Sequence, residues 1–234
     1  MTEKIDAVIV GAGSGTRLGH SIPKAFVPLS GKPILFYSLD TFCSHPAISD
    51  IILVVSASMM SETEHFLNQN TKFKSKIRVV EGGDERWKSV RNGVEHSDAE
   101  WVAIHDAARP FVTNRVIDSV LEKRNEYDCV ITGTPEVDTI RTYEGSRTGE
   151  TVDRSILLRV GTPQLFRRER LQLSFQKASQ MNPPPTDEAT LMEMEGVCVG
   201  FSWGDPLNFK ITTSSDLFIA EALLGKDSEM FLGG

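Results

Sequence analysis

Apolar positions along this chain gather into short, nearly unbroken runs instead of alternating with polar ones. Residues 5–10, 50–56, 77–80, 101–105 and 129–132 each carry such a run. A strand with one wet face alternates, whereas a strand covered on both faces has no reason to, so these runs predict buried strands. Between them, residues 33–43, 61–70, 86–96 and 114–126 space their apolar side chains with the period of a helix. Strand and helix in turn predict an α/β fold: a Rossmann-like, mostly parallel sheet with helices on both faces.

The rhythm breaks after Thr132. Residues 135–159 are rich in Thr, Arg and Glu around a Gly145–Gly149 turn, which predicts a two-stranded β-ribbon leaving the body, and its Val137, Ile140, Val152 and Ile156 need a partner surface. Helical spacing resumes at 168–180. After Pro183, Pro184 and Pro185, a helix is predicted over 186–195 with Thr186 and Asp187 as caps, followed by strands at 197–201 and 209–212 and a helix at 215–224. With no linker to divide the chain, residues 1–234 are expected to form a single domain with 135–159 as a protruding arm.

Composition narrows the function. The 234 residues are 40% hydrophobic and 24% charged, ordinary for a globular core. A formal net charge of -7 argues against a general nucleic-acid or anionic-membrane surface, so an anionic ligand has to meet a local cluster of Lys and Arg. No apolar stretch approaches the roughly 18 residues of a membrane span, and no basic-then-apolar leader is visible. Cys43, Cys129 and Cys198 are odd in number and widely spaced, which fits reduced thiols in a cytoplasmic protein.

The first run leads directly into GAGSGTRLG at 11–19, with PKAF at 23–26. The dinucleotide fingerprint requires a third glycine where this chain has Thr16 or Leu18, depending on the register, and a P-loop requires a Lys that is missing in register. What remains is an anion-binding concavity built on the backbone of Gly13 and Gly15, with Arg17 and Lys24 adding full charges suited to phosphoryl-type chemistry. Asp106 follows the strand at 101–105, on the edge where open α/β sheets bind ligands, and a carboxylate there can hold Mg2+ against phosphate oxygens. Gly82 and Gly83 follow the strand at 77–80 and allow close backbone approach to a base, while Asp84 and Ser89 offer hydrogen bonds and Asp84 also reads as a helix cap. Trp87 is read as packing and His105 as a satisfied structural residue.

GAGSGTRLG with PKAF, EGGDERWKSV at 81–90, HDAARPF at 105–111, TVDR at 151–154, GTPQLF at 161–166, TDEA at 186–189 and NFKIT at 208–212 resemble, in order and spacing, the 2-C-methyl-D-erythritol 4-phosphate cytidylyltransferase family. The resemblance covers nearly the whole chain. It implies an enzyme of non-mevalonate isoprenoid precursor synthesis that joins CTP and methylerythritol 4-phosphate into a CDP-alcohol and pyrophosphate, with Mg2+. It assigns Arg17, Lys24 and Lys210 to the reacting phosphates, and Ala12, Gly13, Gly15, Gly82, Gly83, Asp84 and Ser89 to CTP. It assigns Arg109 to the acceptor phosphate together with Thr139 and Arg154 of a neighbouring subunit, Asp106 to the metal, and the ribbon to a homodimer.

Two departures stand out. Leu207 occupies a position that is often acidic in similar sequences, with Asp205 nearby as a stand-in for a second metal carboxylate, and Gly11-Ala12-Gly13 stands where Ala-Ala-Gly is common. Within the same fold, a ribitol 5-phosphate cytidylyltransferase is the nearest alternative. Ala108 beside Arg109 and Asp153 before Arg154 favour methylerythritol 4-phosphate. A non-catalytic nucleotide-binding module would keep the glycine loop without needing Lys24, Asp106 and Lys210 together.

Overall fold

The structure, a computed structural model, describes residues 3–13, 22–70, 73, 76–178, 181 and 185–225. In chain order the strands are β1 (Ile5–Val10), β2 (Pro28–Leu29), β3 (Lys32–Pro33), β4 (Ile48–Val55), β5 (Ile77–Glu81), β6 (Trp101–Asp106), β7 (Cys129–Pro135), β8 (Ile140–Glu144), β9 (Arg147–Val152), β10 (Leu158–Arg167) and β11 (Val199–Trp203). The helices are α1 (Leu35–Ser44), α2 (Met60–Gln69), α3 (Arg86–Glu95), α4 (Asn114–Leu121), α5 (Arg168–Ala178), α6 (Glu188–Met194) and α7 (Ser214–Gly225). One seven-stranded sheet runs in the order β11-β7-β10-β6-β1-β4-β5, and β2-β3 and β8-β9 form two small hairpins.

Both faces of the sheet are covered, as the continuous apolar runs require. Along β1, Ile5, Ala7 and Ile9 face one core with Leu35, Leu39 and Phe42 of α1 and Val116 and Ile117 of α4. Val8, between them, faces a second core with Trp87 and Val90 of α3 and Leu171 and Phe175 of α5. The strand still alternates between faces; both sides are simply apolar. Close approach of α3 depends on Gly93, where a Cβ would lie 2.4 Å from Val8 Cγ1.

Three strand assignments differ from the sequence reading, the first being the short β2-β3 hairpin, which was not expected. β10 lies inside the main sheet, antiparallel to both β6 and β7, where no strand was expected. Its register on β7 shifts between Gly161 and Leu165, and Gly161 and Pro163 inside the run disguise a strand. Residues 209–212 form no strand. They are tied by Ile211 N–H to the Ala108 carbonyl at 2.9 Å, and their apolar residues serve a third, smaller core of Val27, Leu29, Ile34, Phe111, Ile211 and Ala220. That core clamps the β2-β3 hairpin, the loop after β6 and α7 together.

A ribbon is present as β8-β9 but is shorter than the expected 135–159, since Pro135 ends β7 and Leu158 and Arg159 begin β10; Ile140 stands opposite Val152, so these two half-buried residues cover one another. Val137 and Ile156 remain 63% and 78% exposed. Asp187 caps α6, its side chain accepting from Thr190 N–H, so the cap falls on Asp187 and not Thr186. Cys43 and Cys129 are buried and Cys198 is exposed, and none of the three is in a disulfide.

At the start of α7, Asp216 Oδ2 accepts from the backbone N–H and hydroxyl of both Thr212 and Thr213, while Asp216 N–H donates to Thr213 Oγ1. This reciprocal cap fixes the segment that carries Lys210. Burial opposes ionisation of Asp216, but the four donors outweigh it and hold the carboxyl down to about 2. Asp216→Ala is expected to cost about 1 kcal/mol of stability. Because the folded value lies below the ordinary 3.8, the carboxylate's contribution is complete above about pH 4 and is lost as pH falls through about 2. Urea midpoints of wild type and variant, clearly apart at pH 7, should therefore draw together between pH 4 and pH 2; a constant gap would contradict this cap.

Candidate active site

The carboxyl ends of β1, β5 and β6 open onto a cleft of about 510 Å³. Its walls are the loop after β1 (Gly11, Ala12, Gly13), the loop after β5 with the first residues of α3, and the turn carrying Lys24. Both loops hang from β4: Gly11 N–H donates to the Val54 carbonyl at 2.7 Å and Gly82 N–H to the Val55 carbonyl at 2.8 Å. They can touch because position 82 has no side chain. A Cβ there would lie 2.4 Å from Ala12 Cβ and 2.9 Å from Ser89 Oγ.

Ser89 is buried, and its hydroxyl accepts from Gly83 N–H at 3.0 Å and lies within donating distance of the Gly83 and Glu85 carbonyls. It therefore shapes the loop that lines the cleft. Asp84 also lines the cleft, but its carboxylate pairs with Lys88 at 2.8 Å, and the cap position of α3 falls on the backbone of Glu85 with no side-chain cap bond. The expected Asp84 cap is thus corrected. Trp87 is buried, as expected of a packing residue.

Asp106 ends β6 and is 7% exposed. Arg86 Nε donates to its Oδ1 at 3.3 Å and Lys210 Nζ to its Oδ2 at 2.8 Å, with Arg109 Nε at 3.8 Å from Oδ2. Burial opposes the carboxylate charge, but the Arg86 and Lys210 cations outweigh it and hold the carboxyl well below the usual carboxylate range. The Asp106 N–H donates to Thr162 Oγ1 at 3.1 Å, so the otherwise unexpected β10 steadies the strand end. His105 is buried between Thr162 Oγ1 and the Arg109 carbonyl, and burial pushes its imidazole down to about 4, which leaves it neutral and structural.

A second cavity of about 250 Å³ adjoins the cleft, lined among others by Arg109, Arg159, Gly161, Asp205 and Asn208. Lys210 lines both spaces. Arg109 is anchored by its Nη1 to the Asn208 carbonyl at 2.8 Å, and Asn208 Nδ2 donates to the Thr162 carbonyl at 2.8 Å. Asp205 lies in this second cavity and not beside Asp106, and its Oδ1 accepts from Leu207 N–H. Among the described residues no group of three or more His, Cys, Asp or Glu could hold a metal ion.

The structure thus brings together Ala12, Gly13, Lys24, Gly83, Asp84, Ser89, Asp106 and Lys210 in one cleft, with Gly82 directly behind it and Arg109 alongside. Thr139 and Arg154 sit exposed on the arm and line neither cavity; Arg154 Nη1 donates to the Val137 carbonyl. Gly15 and Arg17 lie outside the described residues. Sequence reading gave no role to Arg86, Glu188, Thr162 or Asn208. The signals for Glu188 were its place in the TDEA motif and a carboxylate set among the apolar Ala189, Leu191 and Met192 of a short helix.

A family model described as IspD, 2-C-methyl-D-erythritol 4-phosphate cytidylyltransferase, matches residues 5–226. The cytidylyltransferase of that name from Alkaliphilus metalliredigens is 37% identical over 234 residues, covering 98% of this chain and 97% of the relative. The one from Bacillus velezensis is 39% identical over 223 residues, covering 94% and 96%. Among solved structures, 4-diphosphocytidyl-2C-methyl-D-erythritol synthase from Anaerococcus prevotii superposes with a TM-score of 0.83 at 27% identity, covering 96% of this chain and 99% of that one.

Proposed function

The chain belongs to the 2-C-methyl-D-erythritol 4-phosphate cytidylyltransferase family, and from that premise we propose a division of labour between the two cavities. As a cytidylyltransferase it transfers CMP from CTP to 2-C-methyl-D-erythritol 4-phosphate, giving 4-diphosphocytidyl-2-C-methyl-D-erythritol and pyrophosphate. The larger cleft holds CTP, and the adjoining cavity receives the acceptor. The observation that carries this reading is Lys210, which lines both spaces while its ammonium rests on Asp106.

In that arrangement an acceptor phosphate oxygen attacks the α-phosphorus, the new O–P bond forms, and the bond to the β-phosphate oxygen breaks with pyrophosphate leaving. No side chain has to exchange a proton. The task is to bring two anions together and hold them in line, which falls to Lys24 and Lys210, with Arg17 assigned there by sequence. The backbone of Ala12 and Gly13, and of Gly15 by sequence, cradles the triphosphate, while Gly82, Gly83, Asp84 and Ser89 form the base-proximal wall.

Asp106 is the cleft-lining carboxylate that would hold a divalent cation, on the lone pairs that its bonds from Arg86 and Lys210 leave open, since Mg2+ commonly takes one carboxylate and fills its shell with phosphate oxygens and water. When bound, Mg2+ neutralises triphosphate charge. Arg109 holds the acceptor phosphate.

Thr139 and Arg154 line neither cavity of their own chain, and Val137 and Ile156 beside them are exposed. We read the 135–159 arm as the dimerisation element of a homodimer that delivers these residues to the acceptor cavity of a second copy.

Pyrophosphate release with CTP, UTP, ATP and GTP, each crossed with methylerythritol 4-phosphate and ribitol 5-phosphate, tests the reading. CTP with methylerythritol 4-phosphate should dominate, with about 10- to 200-fold higher kcat/KM than CTP with ribitol 5-phosphate, the range a methyl-sized difference in a pocket supports. Equal or reversed values would overturn the acceptor assignment. Deleting residues 141–150 should weaken dimerisation and turnover together, and a fully active monomer in sedimentation at assay concentration would contradict the arm's role.

A further inference from the structure

We infer that Arg86 and Glu188 are a positioning pair for the transfer: Glu188 locks Arg86, and Arg86 locks Asp106 in the orientation that keeps Lys210 between the two cavities. The inference rests on the assignment of the cleft to CTP. Glu188 is fully buried at the first turn of α6. The helix is fixed there by Asp187, whose Oδ1 accepts from the Thr190 N–H and hydroxyl while its Oδ2 accepts from Gln164 Nε2 of β10. A buried carboxylate is costly unless a cation meets it. Arg86 Nη1 does so, donating to both Glu188 oxygens at 2.8 Å each.

This clamp sets the position of the guanidinium along the cleft wall. Its Nε then reaches Asp106 Oδ1 at 3.3 Å, leaving Oδ2 to Lys210 at 2.8 Å. One planar side chain therefore spans two carboxylates contributed by β6 and α6, a geometry that a lysine ammonium, acting as a point donor, does not reproduce. With Glu188 neutralised, Arg86 is free to take both Asp106 oxygens or to follow the triphosphate, and Lys210 loses its fixed partner. Displacing a charged group by about 1 Å can cost on the order of a hundredfold in rate.

A purely structural pair would merely tie α3 to α6, and an apolar replacement of similar volume can restore that tie. The experiment therefore compares Glu188→Gln, Arg86→Lys and the double variant Arg86→Met/Glu188→Leu with wild type, reading Tm, the Kd for CTP, and kcat. The single variants should lower kcat by roughly 10- to 100-fold with the Kd for CTP little changed, a scale typical of disturbed supporting residues. The double variant should regain Tm without regaining kcat. Wild-type kcat in Arg86→Lys, or recovery of Tm and kcat together in the double variant, would show the pair to be structural and overturn the inference. Wild-type protein without cytidylyl transfer would overturn the assignment of the cleft, and the positioning role with it; active wild type with unperturbed variants would overturn the pair alone.

Discussion

A carboxylate buried at the end of the central strand has to be neutralised, and much of this molecule is arranged around doing so. Asp106 is 7% exposed, and bare ionisation at such a depth would cost several kcal/mol. The chain meets it with Arg86 from the start of α3, Arg109 from the loop after β6, and Lys210 from the segment before α7. These residues are far apart in sequence, so satisfying one carboxylate fixes three loops against one another. Together with Lys24 they set four cations in and beside the cleft, facing Asp84, Glu85 and Asp106 of its lining, in a chain whose net charge is -7. An acidic protein can thus hold a triphosphate without attracting polyanions over its whole surface.

Ordinary packing holds that cluster in place. The small core of Val27, Leu29, Ile34, Phe111, Ile211 and Ala220 joins the hairpin after Lys24 to the segment after Lys210, so two cations contributed by distant parts of the chain share one apolar anchor. Asn208 and Thr162 link that segment to β10, and Thr162 in turn bonds the backbone of Asp106. Charge geometry of this kind is set before substrate arrives, which is what stabilisation of growing charge at phosphorus requires.

How far the sequence revealed this depends on the kind of signal each part carries. β1, β4 and β6 were legible because burial on both faces leaves continuous apolar runs, and the glycine loop and Asp106 were legible because each sits at the end of such a run, whereas Lys210 was reached only through the NFKIT motif of the resemblance. β10 was not, since Gly161 and Pro163 interrupt its pattern and its place between β6 and β7 is a long-range fact. Residues 209–212 looked like a strand because their apolar side chains serve a local core without any ladder partner. Arg86 and Glu188 stand 102 residues apart, and although each lies inside a motif of the resemblance, EGGDERWKSV and TDEA, neither motif says what its charge meets. Only the fold makes them a pair.

The most direct test of the central claim is single-turnover CMP transfer by Asp106→Asn, measured alongside its unfolding midpoint. The substitution keeps the size of the side chain but removes the charge that holds Lys210 and Arg86 in register. The account predicts a folded protein whose transfer step is slower by roughly a hundredfold or more, the scale of losing one preorganised electrostatic group. A folded Asp106→Asn protein that transfers CMP at the wild-type rate would contradict it.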